Sequence, residues 1–103
     1  YYAQFKKPII MFEFGAEAIE GMHSLPSVAF SEEYQTDFLR EYCRIFDELP
    51  YVQGELVWNF ADFMTKQGTI RVNGNRKGVF TRERQPKSAA FYLKERWQNK
   101  TEK

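Results

Sequence analysis

Two short apolar runs alternate with two amphipathic segments in this chain, and the alternation limits the folds that it can adopt. Residues 7–13 (KPIIMFE) show the pattern of a strand that is buried on both faces. Residues 51–58 (YVQGELVW) form a second strand candidate. A long segment and then a helical pattern follow each run, and this order favours parallel βαβ units and an α/β fold.

The two helical segments carry boundary signals of their own. Ser31 is an N-cap candidate, and two glutamates after it suit the first turn of a helix that runs to about Glu48. Pro50 ends that helix. Pro86 suits the first position of a second helix, whereas the polar tail, residues 98–103, is expected to fray.

The length of the chain decides what two such units can build. A complete (β/α)8 barrel needs about 250 residues, whereas this chain has 103. We therefore expect residues 1–103 to form the C-terminal portion of a (β/α)8 TIM barrel, about two βα units, which is incomplete alone. The chain starts at Tyr1 rather than at a Met, which also indicates a piece of a longer protein. In such barrels the loops after the strands carry the active site, and these loops are long here.

Composition and charge argue against several classes of function. Fifteen Lys and Arg residues against fourteen Asp and Glu leave a net charge of +1, which indicates neither a nucleic-acid partner nor a membrane surface. No apolar run approaches the roughly 18 residues of a membrane span. The single Cys43 and the single His23 have no partners at metal-ligand spacing, so no metal site is expected.

One carboxylate, Glu13, interrupts the first apolar run where the strand is predicted to end. The C-terminal end of a barrel strand is the active-site position, and retaining glycosidases need two carboxyl groups about 5–5.5 Å apart. From the residues alone, a salt bridge to a neighbouring barrel residue explains Glu13 equally well. Glu17 is a weaker second candidate in the loop, and Glu55 lies mid-strand, where a structural role is favoured.

Two further segments contain candidate binding residues: an aromatic one that begins at Trp58 and a basic one that contains Asn75 and Lys77. Trp58 follows the second strand, where it would either form the floor of a sugar subsite or pack under the loop. Asn75 and Lys77 lie between two glycines, whose freedom to adopt positive φ would turn both side chains the same way. This amide and ammonium would bind an anion, with Arg71 as a second cation, although a basic hairpin tip also explains the segment. Arg76 is expected to point to solvent.

Five segments together resemble the C-terminal end of the β-glucuronidases of glycoside hydrolase family 2. They are PIIMFEFGAEAIEGMHS, FSEEYQ, GELVWNFADF, RVNGNRKGVFTR and QPKSAAFYLKERW, in the family's order and spacing. The resemblance extends from about Lys7 to Trp97. It implies a retaining glycoside hydrolase that cleaves β-D-glucuronides through a covalent glycosyl-enzyme intermediate and needs no cofactor.

The resemblance also implies roles for individual residues. Glu13 falls on the catalytic nucleophile of the family. Asn75 and Lys77 fall on the motif that recognises the C6 carboxylate of glucuronic acid, and Arg71 is implied as a further contact near that carboxylate. Trp58 is implied as a wall of the sugar subsite.

The resemblance has one gap and one departure. The family's general acid/base Glu stands in an Asn-Glu pair upstream, and this chain contains no such pair, so the chain alone is expected to be inactive. The usual Tyr after the nucleophile is Phe14 here, which leaves the nucleophile assignment standing.

Partners, location and alternatives follow from the same resemblance. The implied partners are a glucuronide substrate, the rest of the barrel, N-terminal sandwich domains and further copies in a homo-oligomer, such as a tetramer. Bacterial members indicate a cytoplasmic location, and animal members indicate the lysosome. A uronidase of different epimer preference, such as a galacturonidase, is one alternative function. A non-catalytic fragment with a carbohydrate-binding or structural role is the other.

Overall fold

A computed structural model describes residues 6–66 and 74–101 of the chain. The described elements are β1 (Ile9–Phe14), α1 (Glu32–Glu48), β2 (Val52–Val57) and α2 (Ser88–Thr101). The two strands pair in parallel, with α1 as the crossover between them. The predicted order and the α/β class are therefore confirmed, and the strand bounds differ from the predicted ones by one or two residues.

The sheet of β1 and β2 has one covered and one open face. Ile10 and Phe12 of β1 and Leu56 of β2 project from the open face, where each is about 60 % exposed (59, 63 and 60 %). The sequence pattern predicted that the first strand is buried on both faces, whereas among residues 6–66 and 74–101 only the helix side of the sheet is covered. A closed (β/α)8 barrel buries such an apolar strip in its interior. The two units are thus an incomplete part of such a barrel.

The core lies between the covered face of the sheet and the two helices. Phe14, Leu39, Cys43 and Leu93 are buried there, and the Phe14 ring meets the Phe46 ring edge to face at a centroid distance of 5.1 Å. Burial raises the pKa of the Cys43 thiol to about 11, so this thiol is a core group rather than a nucleophile. The packing of Phe14 matters for the site because it anchors the carboxyl end of β1.

The start of α1 matches its sequence signal, whereas both ends of α2 differ from the prediction. The Ser31 hydroxyl accepts a hydrogen bond from the Tyr34 amide at 3.1 Å, as an N-cap should. The second helix begins at Ser88, two residues after Pro86, because the Glu32 carboxylate of α1 accepts the Ser88 amide at 2.7 Å and thereby caps this helix. Its last turn reaches Thr101, so most of the tail that was expected to fray is helical.

An ion-pair network ties β2 to α2. The Arg96 guanidinium donates to Glu55 at 2.7 and 2.9 Å and to Asp47 of α1 at 2.9 Å, and the Trp97 indole donates to Glu55 at 3.1 Å. Burial raises the pKa of Glu55, but the hydrogen bonds from Arg96 and Trp97 outweigh it and leave that pKa lowered. The Arg96 hydrogen bond lowers the pKa of Asp47 to about 2. Glu55 thus has the structural role that was favoured.

We expect Arg96→Met to lower the melting temperature of the full-length protein at neutral pH and to reduce its free energy of unfolding by about 2 kcal/mol, because Glu55 loses its charge partner. A carboxyl group with a lowered folded-state pKa stabilises the fold above its unfolded pKa, and this contribution disappears as the pH falls through the folded value. The difference in free energy of unfolding between variant and wild type should therefore shrink as the pH is lowered from 4.5 to about 2. Arg44→Met, at an exposed pair, is the control. A difference that does not change with pH would contradict this account.

Candidate active site

Glu13 lies one residue before the end of β1, in a β-bulge. Phe12 pairs with Leu56 and Phe14 with the next residue, Val57, so Glu13 is the extra residue of β1 and has no partner in the register. Its φ of 62° falls in the left-handed region, which costs a non-glycine residue about 1–2 kcal/mol. Bulges next to active sites re-aim side chains, and the Glu13 residue is exposed. The fold thus accepts a less stable backbone conformation at the one residue that exposes this carboxylate.

Trp58 follows directly after β2 and closes the same edge of the sheet. Its amide donates to the Phe14 carbonyl at 3.0 Å, which fixes the backbone directly after the bulge residue Glu13. A Cβ on Gly15 would collide with the Trp58 carbonyl, so only glycine permits this close approach. Trp58 as a residue is 41 % exposed, and its indole meets the Phe63 ring edge to face at a centroid distance of 6.3 Å. Trp58 is therefore a partly exposed residue whose backbone is hydrogen-bonded to the neighbour of Glu13. The peptide bond between Trp58 and Asn59 is cis.

The turn of residues 74–78 carries Asn75 and Lys77. Asn75 exchanges two backbone hydrogen bonds with Phe63, at 2.8 and 3.2 Å, and its side-chain Oδ1 accepts the Lys77 amide at 2.8 Å. Of the two flanking glycines, Gly74 has positive φ (88°) and Gly78 does not, so the turn uses this conformational freedom at one of the two positions. Asn75 is 5 % exposed and shapes the turn, whereas Lys77 is half-buried. Arg71, the other predicted cation, lies outside the described residues.

Backbone hydrogen bonds connect this turn to the ends of both strands. The Asn59 amide donates to the Lys77 carbonyl at 3.2 Å, and Asn59 is the neighbour of Trp58, which is itself bonded to Phe14. Glu13, Trp58 and Lys77 are thus attached to one continuous hydrogen-bonded path at the carboxyl edge of the sheet. This edge is where parallel α/β folds place their active sites.

Two opposite charges, Lys87 and Asp62, are buried beneath the turn, and the sequence predicted a site role for neither. Lys87 is 1 % exposed, and its ammonium donates to Asp62 Oδ1 at 3.0 Å and to the Ala18 carbonyl at 2.7 Å. Burial lowers the pKa of Lys87, and Asp62 opposes that effect without cancelling it. Nothing in the sequence distinguishes Lys87 from the other Lys and Arg residues, because its burial depends on contacts with loops far away in the chain.

The prediction that Arg76 points to solvent is wrong. Its guanidinium does not extend into solvent: it pairs with Glu20 at 3.0 Å and approaches Asp62 Oδ2 at 3.6 Å, and its side chain is 26 % exposed. The loop after β1 and the loop after β2 are therefore joined by an ion pair as well as by backbone hydrogen bonds.

Other chemistry has little support in the described parts of the chain. His23 pairs with Glu33 at 2.6 Å, and Ser88 donates to Glu32 at 3.1 Å, so both have structural partners. Across residues 6–66 and 74–101, no group of three or more His, Cys, Asp and Glu residues is placed to hold a metal ion. Neither helix in these ranges has the length and apolar character needed to cross a bilayer.

Parallel βα units with a carboxylate, a ring and a cation at their carboxyl edge have the arrangement that (β/α)8-barrel enzymes use. The model of the family "Glycosyl hydrolases family 2, TIM barrel domain" matches residues 1–101. The chain belongs to this family.

Individual relatives agree with this membership. A β-glucuronidase of Paenibacillus borealis is 59 % identical over 97 residues, and the human β-glucuronidase is 56 % identical over 99 residues. Each alignment covers 94 % of this chain but only 16 % and 15 % of the relative, so the chain spans about one sixth of their length.

Solved structures show the same local fold. The β-D-glucuronidase structure for Dictyoglomus thermophilum superposes with a TM-score of 0.91 at 57 % identity, covering 94 % of this chain and 17 % of that one. A Ruminococcus gnavus β-glucuronidase in complex with N1-substituted uronic isofagomine gives a TM-score of 0.85 at 56 % identity, covering 87 % and 16 %.

Proposed function

We propose that this chain is the C-terminal part of the catalytic barrel of a retaining β-glucuronidase, to which it contributes the nucleophile and the carboxylate-recognition turn. The observation that carries the proposal is Glu13. It is held at positive φ in a bulge at the carboxyl end of β1, and a strained backbone of this kind is found most often at functional sites. The relatives named β-glucuronidase support the choice of activity.

Glu13 would act by double displacement. Its carboxylate forms a bond to the anomeric carbon as the bond to the aglycone oxygen breaks, and a second carboxyl group gives its proton to that oxygen. The second group then removes a proton from water, which displaces Glu13 and releases glucuronate with net retention. The second carboxyl group belongs to the Asn-Glu pair of the family, which is not part of this sequence. The chain by itself is therefore proposed to be inactive.

Lys77 would supply the recognition of the substrate's charge. An ammonium that meets a carboxylate forms a charge-assisted hydrogen bond, about twice as strong as a neutral one. A neutral glycoside leaves that ammonium without a partner in the closed site, and this penalty rejects glucosides. Asn75 orients the turn through its own side chain, and Arg71 is proposed as a further cation near the carboxylate. The uronic ligand of the Ruminococcus gnavus structure is consistent with an anion-selective site in the family.

Trp58 would complete the subsite. Its indole is partly open at the edge where Glu13 is presented, and an aromatic face covers the apolar C–H face of a pyranose. The remaining barrel units would cover the open face of the sheet. The homo-tetramer and the cytoplasmic location are proposed on the resemblance alone.

The proposal is tested on the full-length enzyme with three substrates that share one leaving group: 4-nitrophenyl β-D-glucuronide, β-D-galacturonide and β-D-glucoside. We expect the highest kcat/KM for the glucuronide, by about 10²-fold or more over the glucoside, because only uronides pair with Lys77. A preference for the galacturonide would establish the alternative epimer. Hydrolysis of none of the three would favour a non-catalytic role.

A further inference from the structure

The turn that carries Lys77 is held by three buried side chains from three different parts of the fold. They are Gln35 of α1, Asp62 of the segment after β2, and Lys87 directly before α2, and we call them the clamp. Their exposed fractions are 1, 4 and 1 %. Each is polar or charged, although an apolar core residue at such a position would avoid the cost of desolvation.

Gln35 reaches the turn from the crossover helix. Its amide Nε2 lies 3.0 Å from the Gly78 carbonyl, 3.4 Å from the Lys77 carbonyl and 3.2 Å from the Ala16 carbonyl. One amide group therefore contacts the loop after β1 and the turn after β2 at the same time.

Lys87 and Asp62 hold the turn from the other side. The Lys87 ammonium donates to the Arg76 carbonyl at 3.2 Å and to Asp62 Oδ1 at 3.0 Å, and the same Asp62 oxygen accepts the Gly78 amide at 3.0 Å. The backbone on both sides of Lys77 is thus bonded to the clamp, at residues 76 and 78. Hydrogen bonds of this kind fix direction as well as distance, which apolar packing does not.

We propose that the clamp positions Lys77 for the substrate carboxylate and so sets the preference of the enzyme for charged over neutral sugars. This inference rests on the proposed function, because it assumes that Lys77 meets that carboxylate. Gln35, Asp62 and Lys87 are positioning residues, since they act through the backbone of the turn. A misplacement of the recognising group by about 1 Å is enough to reduce the rate by up to 10²-fold.

Gln35→Met in the full-length enzyme is the first test, because it nearly conserves volume, removes the hydrogen bonds and leaves no charge unpaired. We expect kcat/KM for 4-nitrophenyl β-D-glucuronide to fall about tenfold, mainly through KM, while kcat/KM for the β-D-glucoside stays within about twofold. Gln98→Met, at an exposed position of α2, is the matched control and should change neither value.

A double-mutant cycle with Lys77→Ala separates positioning from general support of the fold. If the clamp acts through Lys77, Gln35→Met has no further effect on the glucuronide once Lys77 is alanine. Equal losses of kcat/KM on both substrates, or additive losses in the double variant, would overturn the proposal that the clamp positions Lys77. Should Gln35→Met not fold, Asp62→Asn replaces it, because the amide keeps the shape and one acceptor oxygen, and the same two criteria apply.

Failure of the clamp and failure of the proposed function give different results. If Lys77→Ala alone leaves the glucuronide-to-glucoside ratio unchanged, Lys77 does not recognise the carboxylate, and both the proposed role of Lys77 and the clamp are wrong. The comparison of the three substrates and the Glu13→Ala variant test the rest of the proposed function separately. If Lys77→Ala lowers that ratio and the clamp variant leaves it at the wild-type value, only the clamp is wrong.

Discussion

Glu13→Ala in the full-length enzyme is expected to lower kcat for an aryl β-D-glucuronide by at least about 10³-fold, because the reaction loses the proposed nucleophile, the group that would bond to the anomeric carbon. Loss of the side chain should leave the fold intact, since Glu13 is exposed and its backbone is fixed by Phe14 and Trp58. Alanine at φ 62° keeps the backbone cost that glutamate already bears. The drop in rate should therefore come without a comparable drop in melting temperature.

Two controls make this result specific. Glu48→Gln changes an exposed carboxylate at the C-terminal end of α1 and should leave kcat within about twofold. Sodium azide should restore turnover of Glu13→Ala and give the α-glucuronyl azide, because a small anion can attack the anomeric carbon in the space left by the carboxylate. Normal turnover of Glu13→Ala would show that another residue is the nucleophile.

Lys77→Ala is expected to lower kcat/KM for 4-nitrophenyl β-D-glucuronide by about 10²-fold, while the value for the β-D-glucoside changes by less than about threefold. A hydrogen bond to a charged group contributes about 1.5–3 kcal/mol, and the glucoside never makes that bond. The ratio of the two kcat/KM values is the quantity to measure, since it cancels any general loss of active enzyme.

Lys94→Ala provides the comparison for Lys77→Ala. Lys94 is an exposed lysine of α2, and its removal should leave the ratio unchanged. Equal losses on glucuronide and glucoside in Lys77→Ala would refute recognition of the carboxylate by this lysine, and would leave the turn as the basic hairpin tip that the residues alone also permit.

Local patterns in the sequence were enough to predict the framework of the site. Apolar runs, an N-cap at Ser31 and the stop at Pro50 depend on near neighbours in the chain, and the structure agrees with them. The position of Glu13 near the end of β1 follows from the same patterns. The start of α2 could not be predicted from local patterns, because the group that caps this helix is Glu32, more than fifty positions earlier in the chain.

The bulge and the clamp could not be predicted in this way. A register shift of one residue leaves no periodic signal, and no glycine marks the positive φ of Glu13. Lys87 bonds to Ala18 across 69 positions, and Gln35 to Gly78 across 43, so their roles exist only once both loops have met. Such long-range polar contacts are set by the tertiary fold rather than by local propensity.

The central claim is that Glu13 bonds covalently to the sugar, and trapping that bond tests it most directly. A 2-deoxy-2-fluoro-β-D-glucuronyl fluoride slows both steps by destabilising the oxocarbenium-like transition state, while its good leaving group still lets the first step proceed. Incubated with the full-length enzyme, it should add one fluoroglucuronyl group, which peptide mass spectrometry should place on Glu13. A label on a different carboxylate, or inactivation without any covalent sugar, would contradict the assignment of Glu13 as the nucleophile.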